Sequence, residues 1–122
     1  MERRRFIRLV QQALADLPSP FRDWLENVDV VVERRPQRHH LREAGLGPDE
    51  TLFGLYEGVP LTSRGSDYGM VLPDKISVFQ EPLEQEYEDE AELIDEVRRT
   101  VLHELAHHFG TSDAELERLG LD

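Results

Sequence analysis

Apolar residues recur at helical intervals at both ends of the chain. Near the N-terminus, the stripe consists of Phe6, Leu9, Val10, Ala13, Leu14 and Leu17. It predicts an amphipathic helix over residues 3–17, which ends before Pro18. A second stripe consists of Leu93, Ile94, Val97, Val101 and Leu105. It predicts a longer helix from about residue 88 to Gly110, and a last short helix is expected over residues 113–119.

Between these helices, three short segments have the composition of β-strands. They are residues 28–33 (VDVVVE), 51–57 (TLFGLYE) and 75–79 (KISVF). Ser19 and Pro20 precede a short predicted helix, whereas residues 34–48 and the glycine-rich stretch before the third strand are predicted to be connections. The pattern predicts an α+β fold. No repeat or linker divides the chain, so we expect a single domain over residues 1–122.

Composition narrows the classes of function. A chain of 122 residues can form one small domain, and its 26 acidic and 14 basic residues give it a formal charge of −12. This charge disfavours nucleic acid as a partner, although residues 1–42 are weakly basic. The absence of cysteine excludes a disulfide framework, a thiolate zinc site and a cysteine nucleophile. No apolar stretch approaches the roughly 20 residues of a membrane span, and we expect a cytoplasmic protein.

The clearest chemical signal is the sequence HELAH over residues 103–107, near the end of the long predicted helix. Residues four apart lie one turn above each other, so His103 and His107 can offer imidazole nitrogens to one metal ion. Glu104 beside them is suited to act as the general base that activates water. At about 100° per residue, the two histidines face away from the apolar stripe. His108 falls within the stripe and is expected to be a packed or hydrogen-bonded core residue.

Two further residues extend the motif to HExxHxxGxxD. Gly110 can adopt a positive φ and end the helix, so that the chain turns back and Asp113 supplies a third, carboxylate ligand. Three protein ligands leave one position open, as in catalytic rather than structural zinc sites. Alternatively, Asp113 stabilises the first turn of the predicted last helix. We expect one Zn²⁺ per chain, although Fe²⁺, Mn²⁺ and Co²⁺ suit the same ligands.

The chain resembles the small zincin-type metallopeptidases of bacteria, a one-domain version of the metalloprotease fold. The resemblance rests on residues 54–64 (GLYEGVPLTSR), 72–83 (LPDKISVFQEPL) and, most specifically, 97–116 (VRRTVLHELAHHFGTSDAEL). It implies N-terminal helices, a small mixed sheet of three to four strands and a C-terminal active-site helix. It also implies zinc at the motif positions and Glu104 as the general base. Unlike the metzincins, the chain has no methionine after the motif.

Zincins commonly place an edge strand beside the active-site helix. The candidate for pairing with an extended peptide substrate is the segment Ile76, Ser77, Val78 and Phe79, and Tyr68 is a further candidate substrate contact.

Peptide hydrolysis also requires a group that stabilises the transition state. The candidates are Tyr68, Arg64, His39 and His40. The predicted function is zinc-dependent hydrolysis of peptides or flexible protein segments. The alternative is a regulatory module that keeps the fold and binds a peptide without hydrolysing it. The oligomeric state is left open.

Overall fold

The predicted α+β fold with a small mixed sheet is confirmed by a computed structural model, which describes residues 1–15, 17–19, 21–58 and 73–109. The helices are α1 (Arg3–Ala13), α2 (Phe21–Leu25), α3 (Arg38–Glu43), α4 (Gln80–Glu86) and α5 (Glu90–His108), and the strands are β1 (Val28–Glu33), β2 (Gly54–Glu57) and β3 (Asp74–Phe79). The sheet has the order β1-β3-β2, with β1 parallel and β2 antiparallel to β3. Residues 59–72 of the predicted loop and the predicted last helix lie outside the described residues.

One face of the sheet, which we call the front face, packs against α1 and α5. Alternate strand residues point to this face, among them Val32, Ile76 and Val78, which are buried. The helices contribute Phe6, Leu9, Val10 and Ala13 from α1 and Leu93, Val97, Val101, Leu102, Leu105 and Ala106 from α5. Both predicted stripes therefore face the core. Helix α1 ends at Ala13, earlier than predicted, although Leu17 beyond it is still buried.

Helix α3 covers the opposite face of the sheet, which we call the back face, and lies where the sequence predicted only a connection. His40 of α3 is buried against Phe79 of β3, with ring centroids 4.9 Å apart. A capping box begins the helix: the Gln37 side chain accepts from the His40 backbone, and the Gln37 N–H donates to His40 Nδ1 at 2.9 Å. The segment has no apolar periodicity, since Leu41 is its one buried apolar side chain.

The prediction that Ile76–Phe79 forms an edge strand for substrate is wrong. Strand β3 lies between β1 and β2, which occupy both of its hydrogen-bonding sides. All four side chains, Ile76, Ser77, Val78 and Phe79, have 0% exposure. An extended peptide therefore cannot pair with this segment, and within the described residues the sheet edges belong to β1 and β2.

Helix α4 follows β3 directly and was not predicted as a separate element. Three residues, 87–89, separate it from α5, and the first of them, Tyr87, is extended. Helix α5 then begins at Glu90, where the Asp89 side chain accepts from the Glu92 N–H at 3.1 Å. Within the described part of the chain, no helix is long and apolar enough to cross a membrane.

Candidate active site

Helix α5 presents the two motif histidines side by side on the flank that faces away from the core. The ring centroids of His103 and His107 are 4.2 Å apart. His103 is half-buried and His107 exposed, whereas Leu105 and Ala106 between them have 0% exposure. The buried residues anchor the helix on the core, and the helical repeat turns the histidines outward together.

Glu104 is held in place by the edge of the sheet. Its Oε1 accepts a hydrogen bond from the backbone N–H of Tyr56 in β2, at 2.9 Å. The backbone N–H of Phe79 in β3 donates to the carbonyl oxygen of Phe53, the residue just before β2. Because backbone hydrogen bonds alternate along an antiparallel strand, every second residue from Phe53 onward turns its backbone groups toward β3. The backbone groups of Gly54 and Tyr56 therefore face away from β3, on the side of β2 next to α5. A contact to a backbone N–H leaves no trace in the sequence, and sequence reasoning missed it.

A pocket of about 260 Å³ opens beside the motif, between β2 and α5. It is lined by Phe53, Gly54, Glu96, Arg99, Thr100, His103 and Glu104. At Gly54 the two elements approach so closely that a Cβ atom would lie 2.6 Å from Thr100 Cγ2 and 3.1 Å from Ser77 O. The isolated glycine within a strand pattern was the available sequence signal for this close approach.

The charged groups at the pocket are held by neighbours. Glu96 forms an ion pair with Arg99, one turn further along α5, at 3.7 Å. Burial, and secondly the negative charge of Glu96, raise the pKa of the Tyr87 hydroxyl above its ordinary value of 10.0. The Tyr87 hydroxyl therefore stays protonated at neutral pH.

The last turn of α5 corrects the prediction for His108, whose side chain is 41% exposed rather than in the core. The ring stacks on Tyr56, with centroids 3.8 Å apart and planes at 12°. His108 Nε2 lies 3.8 Å from Asp74 Oδ2, to which the Tyr56 hydroxyl donates at 2.7 Å. The apolar stripe does continue to this position, but here it faces the end of the sheet instead of its packed centre.

The remaining predicted site residues divide into two groups. Arg64, Tyr68, Gly110 and Asp113 lie outside the described residues. His39 and His40 belong to α3 on the back face, so the sheet separates them from the motif. His39 and His40 therefore drop out of the four candidates for stabilising the transition state.

His39, His40 and Glu57 place one potential metal-binding atom each within 4.8 Å of one another. However, His40 Nδ1 accepts the Gln37 N–H, so in the neutral ring the proton lies on Nε2. This Nε2 faces carboxylate oxygens of Glu33 at 3.4 Å and Glu57 at 3.2 Å. Neither nitrogen of His40 keeps a lone pair for a metal.

The same two carboxylate oxygens also surround the buried Ser77 hydroxyl. Ser77 Oγ lies 2.7 Å from Glu33 Oε2 and 3.1 Å from Glu57 Oε1. We call these four side chains, His40, Ser77, Glu33 and Glu57, the back-face cluster. The His40 ring N–H and the Ser77 hydroxyl are the donors to the two carboxylates of the cluster. The cluster thereby links all three strands to α3, which is a structural role.

Comparison with known proteins identifies the family of the chain. The family model described as a zincin-like metallopeptidase matches residues 25–121, most of the chain. The chain belongs to this family. The matched region runs from the end of α2 through the motif, and α1 lies outside it. A search of curated proteins found no match.

Proposed function

We propose that the chain is a zinc-dependent peptidase that hydrolyses peptides or flexible protein segments. One observation carries the proposal: His103 and His107 lie side by side on the flank of α5 that faces away from the core, and Tyr56 holds Glu104 next to them. Membership of a metallopeptidase family supports it. No specific feature of the described residues favours the alternative of a binding module without hydrolysis.

The donor set suits zinc. His103 and His107 would supply two imidazole nitrogens, and Asp113 would add a carboxylate oxygen. Zinc accepts this mixture of nitrogen and oxygen ligands, and three protein ligands leave the fourth coordination position for water or substrate. When bound, the metal would polarise the substrate carbonyl and lower the pKa of a water molecule.

Glu104 is the candidate general base. Because its Oε1 accepts the Tyr56 N–H, the carboxylate has Oε2 available for proton transfer. Oε2 takes a proton from the attacking water and returns it to the amine that leaves. Tyr56 acts through Glu104 and is therefore a positioning residue, since its backbone N–H restricts the carboxylate to one orientation.

Strand β2 replaces β3 as the candidate substrate edge. The backbone groups of Gly54 face the side of β2 that no described strand occupies, where an extended peptide can form main-chain hydrogen bonds. The pocket beside His103 and Glu104 then receives one side chain of that peptide. Main-chain pairing aligns the peptide with little selectivity, so the pocket contributes most of the discrimination among side chains.

The test combines metal content with hydrolysis of a fluorogenic peptide library. We expect about one zinc per chain in the wild type and hydrolysis that a chelator abolishes and zinc restores. Glu104→Gln should keep the zinc and lose about 10²- to 10⁴-fold in rate. His107→Ala should lose the zinc, whereas His39→Ala, on the back face, should change neither property. A wild type that stays empty after zinc reloading, or an active Glu104→Gln variant, would contradict the proposal.

A further inference from the structure

A second recess lies away from the motif, along α3. It has a volume of about 630 Å³ and is lined by Arg38, Leu41, Arg42, Leu46 and Pro48. A smaller recess of about 210 Å³ lies beside it, shares Leu41 and Pro48 with it, and is also lined by the carboxylates of Glu50 and Glu81. We call the larger recess, which has no acidic lining residue, the α3 groove. Since α3 covers the back face, the groove is separated from the candidate active site by the sheet.

The floor of the groove is apolar and its rim is cationic. Leu46 is half-buried, and Leu41 has only 7% exposure. Arg38 and Arg42 stand four residues apart on one side of α3, which places them about 6 Å apart along the helix axis. Both are exposed, and within the described residues neither guanidinium has a carboxylate partner.

The neighbouring arginines behave differently. Arg34 and Arg35 both pair with Glu81, at 3.2 and 3.5 Å. Arginines at this spacing also occur elsewhere, because Arg4 and Arg8 of α1 are four residues apart and likewise exposed. What distinguishes Arg38 and Arg42 is the apolar recess that they border. Arginine over an apolar floor is the composition found at the centre of protein interfaces.

We propose that the α3 groove binds a short acidic peptide segment of a partner protein. Two carboxylates of the segment pair with Arg38 and Arg42, and an adjacent apolar side chain packs on Leu46 and Pro48. In an extended peptide, residues two apart are separated by about 6.6 Å, which matches the spacing of the two arginines. Guanidinium groups bind carboxylates through paired hydrogen bonds.

Charge favours a peptide over a nucleic acid as the occupant. The chain carries −12 overall, so it repels a long polyanion, whose affinity depends on many phosphate contacts. A short acidic segment needs only the local positive charge of the groove. The apolar floor also has no use in binding a phosphate backbone, whereas it buries a peptide side chain.

The test is a fluorescence anisotropy titration of the wild-type protein. The probe is a fluorescein-labelled serine peptide with two glutamates two positions apart and a leucine at each end. Its matched control replaces both glutamates by glutamine. We expect the acidic probe to bind the wild type, and the double variant Arg38→Gln/Arg42→Gln to bind it about tenfold more weakly, because two exposed ion pairs are lost.

The variant Arg4→Gln/Arg8→Gln removes the same charge with the same spacing from α1 and should bind the probe like the wild type. Leu46→Ser should weaken binding of the acidic probe without a change in charge. All substituted side chains are at least partly exposed, so circular dichroism melting curves should superimpose.

Three results would overturn the proposal. The first is no binding of the acidic probe by the wild type, or equal binding of the glutamine control. The second is an equal loss of binding in both arginine double variants, which would indicate a general charge effect. The third is tighter binding of the wild type to an oligonucleotide of the same charge than to the acidic probe, which would assign the groove to a nucleic acid. Concentration-dependent dimerisation that requires Arg38 and Arg42 would likewise assign it to a second copy of the chain. The readout is binding, so the test is independent of hydrolysis.

Discussion

Replacing Gly54 by alanine should disturb the candidate site although it adds only one methyl group. In Gly54→Ala, the added Cβ atom would meet Thr100 Cγ2 at 2.6 Å and Ser77 O at 3.1 Å. One contact is with α5 and the other is with the backbone of β3, so the methyl group cannot be accommodated by a side-chain rotation alone. Strand β2 must move away from α5, and this movement lengthens the hydrogen bond from Tyr56 N–H to Glu104.

Overpacking of this kind costs about 1–3 kcal/mol. With an unfolding entropy of about 2.1 cal/mol/K per residue, 122 residues convert each kcal/mol into roughly 4 °C of melting temperature. We therefore expect Gly54→Ala to lower the melting temperature by roughly 4–12 °C. Because the histidines stay on α5, the variant should keep its zinc while its rate of peptide hydrolysis falls.

Two further variants isolate the cause. Gly47→Ala is the matched control, since its Cβ would make only an ordinary contact of 3.5 Å with Glu50 Oε1. Thr100→Ser removes the methyl group that the added Cβ atom would strike, so Gly54→Ala/Thr100→Ser should recover part of the lost melting temperature. The reasoning is refuted if Gly54→Ala melts within about 1 °C of the wild type, or if the second substitution gives no recovery.

The remaining predictions concern stability away from the motif. His40→Ala removes the N–H donor from the back-face cluster and leaves the Gln37 N–H without its acceptor, so the free energy of unfolding measured with urea should fall by about 2 kcal/mol. Zinc content should not change, and a loss of zinc would show that α3 is coupled to the motif. The second prediction concerns alkaline pH. The folded state raises the pKa of the Tyr87 hydroxyl above 10.0, so the protonated side chain stabilises the fold below this pH. That contribution is lost as the pH rises through the pKa of the folded state. Melting temperatures measured from pH 8 to 11 should therefore fall less steeply in Tyr87→Phe, and parallel curves would contradict the assignment.

Local periodicity along the chain determined much of the fold. Strand β1 matches the predicted residues 28–33, and both helical stripes pack into the core. The outward direction of His103 and His107 also followed from the helical repeat, because it depends only on positions within one element. Periodicity missed α3 and α4, whose short polar sequences depend on a capping box and on the preceding strand instead of an apolar stripe.

Strand order could not be predicted in this way. The alternation of residues 75–79 is compatible with an edge or a central strand, and only the pairing with β1 and β2 made β3 central. The packing of α3 on the sheet, equally absent from local patterns, placed His39 and His40 on the back face, although their residue types had suggested a role in catalysis.

The sequence by itself determined the chemistry of the candidate site: two histidines one turn apart, a glutamate between them and no cysteine. The tertiary structure decided which strand lies beside the motif and how the Tyr56 backbone holds Glu104. It also explains why position 54, which lies close to Thr100 and Ser77, is a glycine. The physical reason is the range of the interactions. Helical spacing is set by neighbours three and four residues apart, whereas Tyr56 and Glu104 are 48 residues apart and meet only when the sheet packs on α5.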